Sequence, residues 1–242
     1  MIRFATALPL LSLAAILPGG DATAQSRASH VYALTSFERV RVEGPFDVRL
    51  TAGASPAGKA DGDPRAIDSV VLRLDGTTLT VRRALTEIGA TDNGAGRPLV
   101  ITLATPVVRS AGVTGGGRLT VNGARGQRLD FSVTGSGTLA ASGVNADQLN
   151  ATVIGAGAMT LAGHAQRARL EANGVGGVNA TGLDVGDLTV RLDGPGEIRA
   201  AAKYSASVVN SGLGSVTVAG NAPCTIAPVG GGTVMCGSGK PR

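Results

Sequence analysis

From Leu129 onward the chain alternates apolar and polar residues in a two-residue rhythm. Leu129, Phe131, Val133, Gly135, Gly137, Leu139, Ala141 and Gly143 fall on one parity, and Leu149, Ala151, Val153, Gly155, Gly157, Met159, Leu161 and Gly163 repeat the series. Successive side chains of a strand point to opposite faces, so each series marks one buried face. The rhythm runs straight through pairs of glycines that enclose a single residue. The first members are Gly115, Gly135, Gly155, Gly174, Gly194, Gly212 and Gly230, at steps of 20, 20, 19, 20, 18 and 18 residues. The second members are Gly117, Gly137, Gly157, Gly176, Gly196, Gly214 and Gly232. A period this constant is a structural repeat.

The repeat predicts an all-β, single-domain parallel β-solenoid, or β-helix, with about 18–20 residues per coil and a corner at each G-x-G. Both glycines are expected to face inward where the wall is too tight for a side chain, and Gly also permits the backbone angles of a corner. The enclosed residue (Gly116, Ser136, Ala156, Val175, Pro195, Leu213, Gly231) then points outward. An antiparallel sandwich would account for the strands but not for the fixed register of the glycines. Gly135-Ser136-Gly137-Thr138-Leu139-Ala140 reads as a degenerate GxGxxA, yet Thr-Leu-Ala-Ala-Ser-Gly alternates and lacks helical spacing, so the loop serves the fold and not a dinucleotide.

Residues 1–24 read as a secretory signal peptide: Arg3, an apolar run to about Leu17, then the A-x-A site Ala22-Thr23-Ala24. Residues 25–36 are expected to be a flexible segment, 37–236 the solenoid and 237–242 a tail. Within the solenoid, 37–108 repeat less regularly than 109–236. "FERVRVEGPFDVRLTAG" places Val40, Val42, Gly44, Phe46, Val48 and Leu50 on one parity around a Gly-Pro bend, whereas "ASPAGKADGDPRAID" and "TDNGAGRP" read as loops or insertions.

That opening motif, the strand signal "VVLRLDGTTLTV" and the run of G-x-G coils resemble the head GIN domain family, grouped as candidate autotransporter adhesins of unestablished function. The resemblance covers about 37–236. It implies an exported β-helix-like fold and an adhesive role, and brings no catalytic residues with it. The chain ends at Arg242 without the membrane barrel of an autotransporter, so self-secretion by that route is not expected.

Composition narrows the chemistry. The chain has 37 Gly, 4 Phe, 2 Tyr and no Trp, which favours thin regular layers over one bulky core. Net charge is +5, but the arginines are scattered and aromatics are scarce, so no nucleic-acid partner is expected. Nor is a transmembrane anchor, because the single apolar run is too short. The compartment implied is periplasmic or extracellular, with envelope or extracellular polysaccharide, or a surface protein, as the partner class.

No cofactor, metal or catalytic site is expected. His30 and His164 read as solvated loop residues, and nucleophile-elbow, phosphate-loop and H-E-x-x-H motifs are missing from the sequence. The alternative to a non-enzymatic module is a carbohydrate-active β-helix enzyme, a polysaccharide lyase or glycosidase, using Asp193 and Glu197 on either side of the Gly194-Pro195-Gly196 corner. Thr120, Thr160 and Thr217 share an outward offset and read as a face-stabilising ladder. Cys224 and Cys236 lie six residues either side of Gly230, both on the inward parity. In an exported chain a disulfide is the expected state, with buried thiols as the alternative.

Overall fold

Branched and leucine side chains at every second position give each coil one apolar and one polar face, and the chain coils so that the apolar faces meet. The computed structural model describes residues 28–84, 99–228, 230–237 and 240–241. The expected signal peptide and the "TDNGAGRP" stretch lie outside the described residues.

The strands are β1 (Ala28–Tyr32), β2 (Arg39–Glu43), β3 (Asp47–Ala52), β4 (Ala57–Gly62), β5 (Val70–Asp75), β6 (Thr78–Arg83), β7 (Val100–Thr105), β8 (Ser110–Gly115), β9 (Arg118–Asn122) and β10 (Arg125–Gly135). They continue as β11 (Thr138–Gly155), β12 (Ala158–Asn173), β13 (Gly177–Asp193), β14 (Glu197–Ala201), β15 (Ser205–Asn210), β16 (Ser215–Ala219), β17 (Cys224–Pro228), β18 (Thr233–Cys236) and β19 (Lys240–Pro241). The single helix among the described residues, α1, spans Pro64–Asp68. The result is one β-solenoid, the fold the glycine period predicts, of about six turns.

Two long parallel ladders form its walls. The leading sheet, which enters the G-x-G corners, stacks β6, β2, β8, β10, β11, β12, β13, β15 and β17. The following sheet, which leaves the corners, stacks β7, β3, β9, β11, β12, β13, β14, β16 and β18. β11, β12 and β13 belong to both because each runs around the coil. Inside, like side chains lie in rows, one of them Ile101, Val48, Leu119, Leu139, Met159, Val178, Ile198, Val216 and Val234. In a second row Phe131 lies between Ala111 and Ala151, so the bulkiest ring is flanked by the smallest side chains and core volume is conserved.

At the corners the coils are joined by amide-to-carbonyl bonds. Ser136 N donates to Gly115 O at 3.1 Å, Ala156 N to Gly135 O at 2.9 Å, and Ala158 N to Gly137 O at 3.1 Å. The first glycine carries the bend, with φ +105° at Gly135 and +106° at Gly155. The second is excluded by contact: a Cβ on Gly157 would lie 2.5 Å from Val133 Cγ1 and 2.7 Å from Gly137 O. The enclosed residue is exposed in every repeat.

The inward rhythm does not continue unbroken around the coil. Gly143, placed on the inward parity by the sequence, is exposed with φ +63°, and Gly163 is half-buried. The buried positions step from Ala141 to Val144 and from Ala146 to Leu149, because two further bends each consume one extra residue and give the coil a short third side. The register shift between Ala141/Val144 and Leu161/Gly163 drops one residue at the first of these bends, which accounts for the 19-residue step. In the last coils the third side contracts. Ala200 stacks on Ala180 with a spacing of 20, whereas Ser205 stacks on Asp187 with a spacing of 18, so the two missing residues come from between them.

The N-terminal region also departs from expectation. β2–β3, which precede β6–β9 along the chain, stack between the β6–β7 level and the β8–β9 level. "ASPAGKADGDPRAID" is not a loop: it forms β4, antiparallel to β7, and α1. The segment expected to be flexible contributes β1, antiparallel to β4. Asp63 caps α1 by accepting from Arg65 N at 2.9 Å, and Ile67 is buried in the core cluster. At the other end a disulfide joins Cys224 to Cys236, tying the leading sheet to the following one, and β19 pairs antiparallel with β18.

Leu139→Ala should lower stability by about 2–5 kcal/mol in urea unfolding, whereas Thr138→Ala, one residue away on the outer surface, should change it by less than about 0.5 kcal/mol. Equal effects at the two positions would contradict the inward row. A second expectation concerns the cross-link, which closes a short loop and is worth about 3 kcal/mol on the chain-entropy account. Reduction should speed hydrogen exchange in 205–237 before 118–193, and uniform acceleration along the chain would refute a local staple.

Candidate functional site

Stacked coils turn outward residues of unrelated sequence position into neighbours. On the leading sheet one outward row reads Ser110, Asp130, Asn150, Arg169, Thr189, Ser207. The next reads Gly112, Ser132, Thr152, Glu171, Arg191, and a third Thr114, Thr134, Ile154, Asn173, Asp193. Where β11, β12 and β13 cross these rows the surface is hollowed in three adjoining places. One hollow lies between Gln148, Arg167 and Asp187, the next between Asn150, Arg128 and Asp130, the last between Thr152, Arg191 and Asp193. Arg169 lines all three, so they form one shallow trough along the strands.

Its polar groups are largely held by one another. Arg169 Nε donates to Glu171 Oε1 at 2.7 Å, and its Nη2 lies 2.6 Å from the same oxygen. Asn150 Nδ2 donates to Asp130 Oδ1 at 2.7 Å, while Arg128 Nε lies 3.3 Å from Asp130 Oδ2. Ser205 Oγ donates to Asp187 Oδ1 at 2.6 Å. Arg167, Arg191 and Asp193 have no ion-pair partner among the described residues. Ile154, 49% exposed, supplies an apolar lip at the corner end.

The residue pairs that build this surface have a local signature that periodicity alone does not bring out. Arg128-Leu129-Asp130, Arg169-Leu170-Glu171 and Arg191-Leu192-Asp193 each place opposite charges two residues apart around an intervening leucine, and Arg73-Leu74-Asp75 does so away from the trough on β5. On a strand that spacing puts both charges on the same outer face. Such exposed pairs are individually weak but preset the side-chain orientations.

The residues singled out from sequence are dispersed. Asp193 ends β13 on the leading sheet, whereas Glu197 begins β14 on the following sheet, across the glycine corner, where it accepts from Arg199 Nε at 2.6 Å. Only Asp193 lines the trough. Thr120, Thr160 and Thr217 share one row of the following sheet, but Ala140, Asn179 and Arg199 interrupt it. His30 is not in a loop but on β1, packed edge-on against Tyr32 with ring centroids 4.6 Å apart. Among the described residues no three His, Cys, Asp or Glu side chains are grouped to hold a metal.

His164 also lies on a strand, β12, and belongs to a surface cluster on the short side. Lys203 Nζ donates to Asp184 Oδ2 at 2.6 Å, and His164 Nδ1 lies 3.6 Å from that oxygen. The hydrogen bond from Lys203 holds the Asp184 carboxyl below the usual carboxylate range, and the same bond raises the Lys203 ammonium. The sign follows: what Asp184 contributes is present at neutral pH and is lost as pH falls through its lowered pKa, while the Lys203 contribution is lost as pH rises through its raised one. Both groups are solvated, so the effect on stability is screened.

The family model described as "Putative auto-transporter adhesin, head GIN domain" matches residues 36–222. The chain belongs to the head GIN domain family. No curated protein matches it. A solved "putative adhesin" from Bacteroides fragilis is similar at 19% identity and TM-score 0.76, covering 89% of this chain and 98% of its own. A "putative lipid binding protein" from Parabacteroides distasonis has 16% identity and TM-score 0.70 over 88% of this chain and 97% of its own. A "putative adhesin" from Parabacteroides merdae, at 16% identity and TM-score 0.66, covers 88% and 97%. At these identities the likeness is one of fold.

Replacing Asp184 by Asn should bring the Lys203 pKa back down toward its ordinary value in an NMR titration while leaving the thermal midpoint unchanged. An unmoved Lys203 would mean that the bond does not persist in solution.

Proposed function

We propose that the protein is an exported, non-enzymatic interaction module of adhesin type, which presents its leading sheet to material of the cell envelope, matrix or a neighbouring surface. Membership of the head GIN domain family supports the adhesive reading. The leader-like first 24 residues and the disulfide support export to an oxidising compartment, periplasmic or extracellular.

The observation that carries the reading is the trough around Arg169. It is an open, shallow surface on a regular ladder, and half of its charged groups, Arg128 with Asp130 and Arg169 with Glu171, are bonded to one another. Cleavage of a glycosidic bond instead requires two carboxylates facing one substrate position, one of them kept protonated. Asp193 and Glu197 occupy different walls of the solenoid, and Glu197 is bonded to Arg199. No helix among the described residues is long and apolar enough to cross a membrane.

Purified protein lacking residues 1–24 should be retained on envelope extracts or immobilised polysaccharide without releasing reducing ends or unsaturated products. Asp193→Asn and Glu197→Gln should leave the absence of turnover unchanged. Turnover abolished by either substitution would overturn the reading in favour of a carbohydrate-active enzyme.

A further inference from the structure

We propose that the trough across β11, β12 and β13 is a binding site for a linear, uncharged polysaccharide segment lying parallel to the strands. The inference rests on the interaction-module reading and names the ligand class of that module's leading sheet.

Shape comes first. From Gln148 to Ile154 the trough runs along six strand steps, roughly 20 Å, and it spans four strands, β10 to β13, or roughly 14 Å across. Those proportions suit an extended polymer lying in register with the sheet better than a compact molecule, which would find no enclosed pocket. A bilayer would favour an exposed apolar or basic surface, and the trough is neither.

The charge pattern then separates neutral from acidic chains. Four arginines and four carboxylates line the trough, so it exerts no net pull on a polyanion. The two unpaired cations each have a carboxylate close at hand: Arg167 lies opposite Asp187 on the ladder, and Arg191 lies opposite Glu171 with Asp193 on its own strand. A uronate bound to either guanidinium would meet that negative charge. A sugar hydroxyl both donates and accepts, so it can bridge a guanidinium or amide donor and a carboxylate acceptor at once. Asn150, Arg169 and Glu171 present this alternation, Asn150 already oriented by its bond to Asp130 and Arg169 by its bond to Glu171. Preset groups lose little freedom on binding, which matters for a ligand held by hydrogen bonds. Ile154 at the corner end offers the C–H face of a sugar ring an apolar contact in place of an aromatic platform.

Calorimetric or NMR titration of the mature protein with cellohexaose, laminarihexaose and maltohexaose should give saturable binding of at least one, little affected by salt. Hexagalacturonate and anionic phospholipid vesicles should bind more weakly. Arg169→Ala should weaken the neutral oligosaccharide by about tenfold, the loss of a polar anchor. Arg199→Ala breaks an equivalent ion pair on the following sheet and should change affinity by less than about twofold, with thermal midpoints checking that both variants fold. Preference for hexagalacturonate with steep salt dependence, capture by vesicles, no binding of any neutral hexasaccharide, or an Arg169→Ala protein that binds normally would each overturn the assignment. Retention on envelope extracts is measured separately: if it persists while these titrations fail, the ligand class is wrong and the interaction module stands, and if it is lost as well both readings fall.

Discussion

The solenoid depends on how closely successive coils approach at the glycine corners. There the amide of one coil reaches the carbonyl of the coil before it, as Ser136 N does to Gly115 O and Ala156 N to Gly135 O, and the column continues through Gly214 N to Gly194 O and Gly232 N to Gly212 O. A side chain on the second glycine would occupy the space taken by the preceding carbonyl and core side chain. The corner therefore fixes the vertical register of both sheets, and through them every inward row. A row such as Leu119, Leu139 and Met159 stays aligned because the bends beside it are superimposed. Shortening of the coil from 20 to 18 residues is absorbed on the third side, away from this column, and leaves the corner stacking intact.

That division explains what was legible in the sequence. The G-x-G corners and the walls beside them are local features, encoded within each coil by parity and by a residue type that nothing else can replace. The other two bends have no comparable signature. Ser142-Gly143 and Ala162 perform the same turn with different numbers of residues, and the flip from Ala141 to Val144 leaves only a one-residue change of phase. The N-terminal order was illegible for another reason. β2 pairs with β6 and β8, partners far apart along the chain, and such pairing is decided by the whole stack and not by local preference. Likewise His164 follows a glycine, which reads as a loop, yet the strand pairing of β12 carries it around the bend.

The trough was less legible than the walls because its parts come together only across coils. Asn150 and Asp130 are twenty residues apart and bonded. The two-residue charge pairs are visible in the sequence, but which pairs adjoin depends on register. Arg169 joins the three hollows because Asn150 lies beside it on one side and Thr189 on the other, so a residue unremarkable in its own coil becomes central in the stack. A one-dimensional architecture makes its surface by addition, and substitutions on one coil alter a site whose other members are a full turn away.

The ends of the stack decide which surfaces are left for other molecules. An open parallel coil offers unpaired backbone at both ends and would template further strands. Here the first end is closed by the antiparallel strands β1, β4 and β5 and by α1, whose Ile67 joins the core. At the other end Pro223 precedes β17 and Pro228 ends it, neither with an amide donor, and the Cys224–Cys236 disulfide ties the two walls of the last coil together. Between these modified ends the two long walls are the extended regular surfaces. In its middle coils the following sheet presents mostly small groups, Thr138, Ala140, Ala158, Thr160 and Gly177, with Asn179 beside them and the Glu197–Arg199 pair on the next coil. The leading sheet has longer polar side chains fixed by their own ion pairs and standing far enough apart to leave a trough between them. On the proposed reading, recognition falls to the wall whose side chains are long enough to line a trough and are in part held in place by their own bonds.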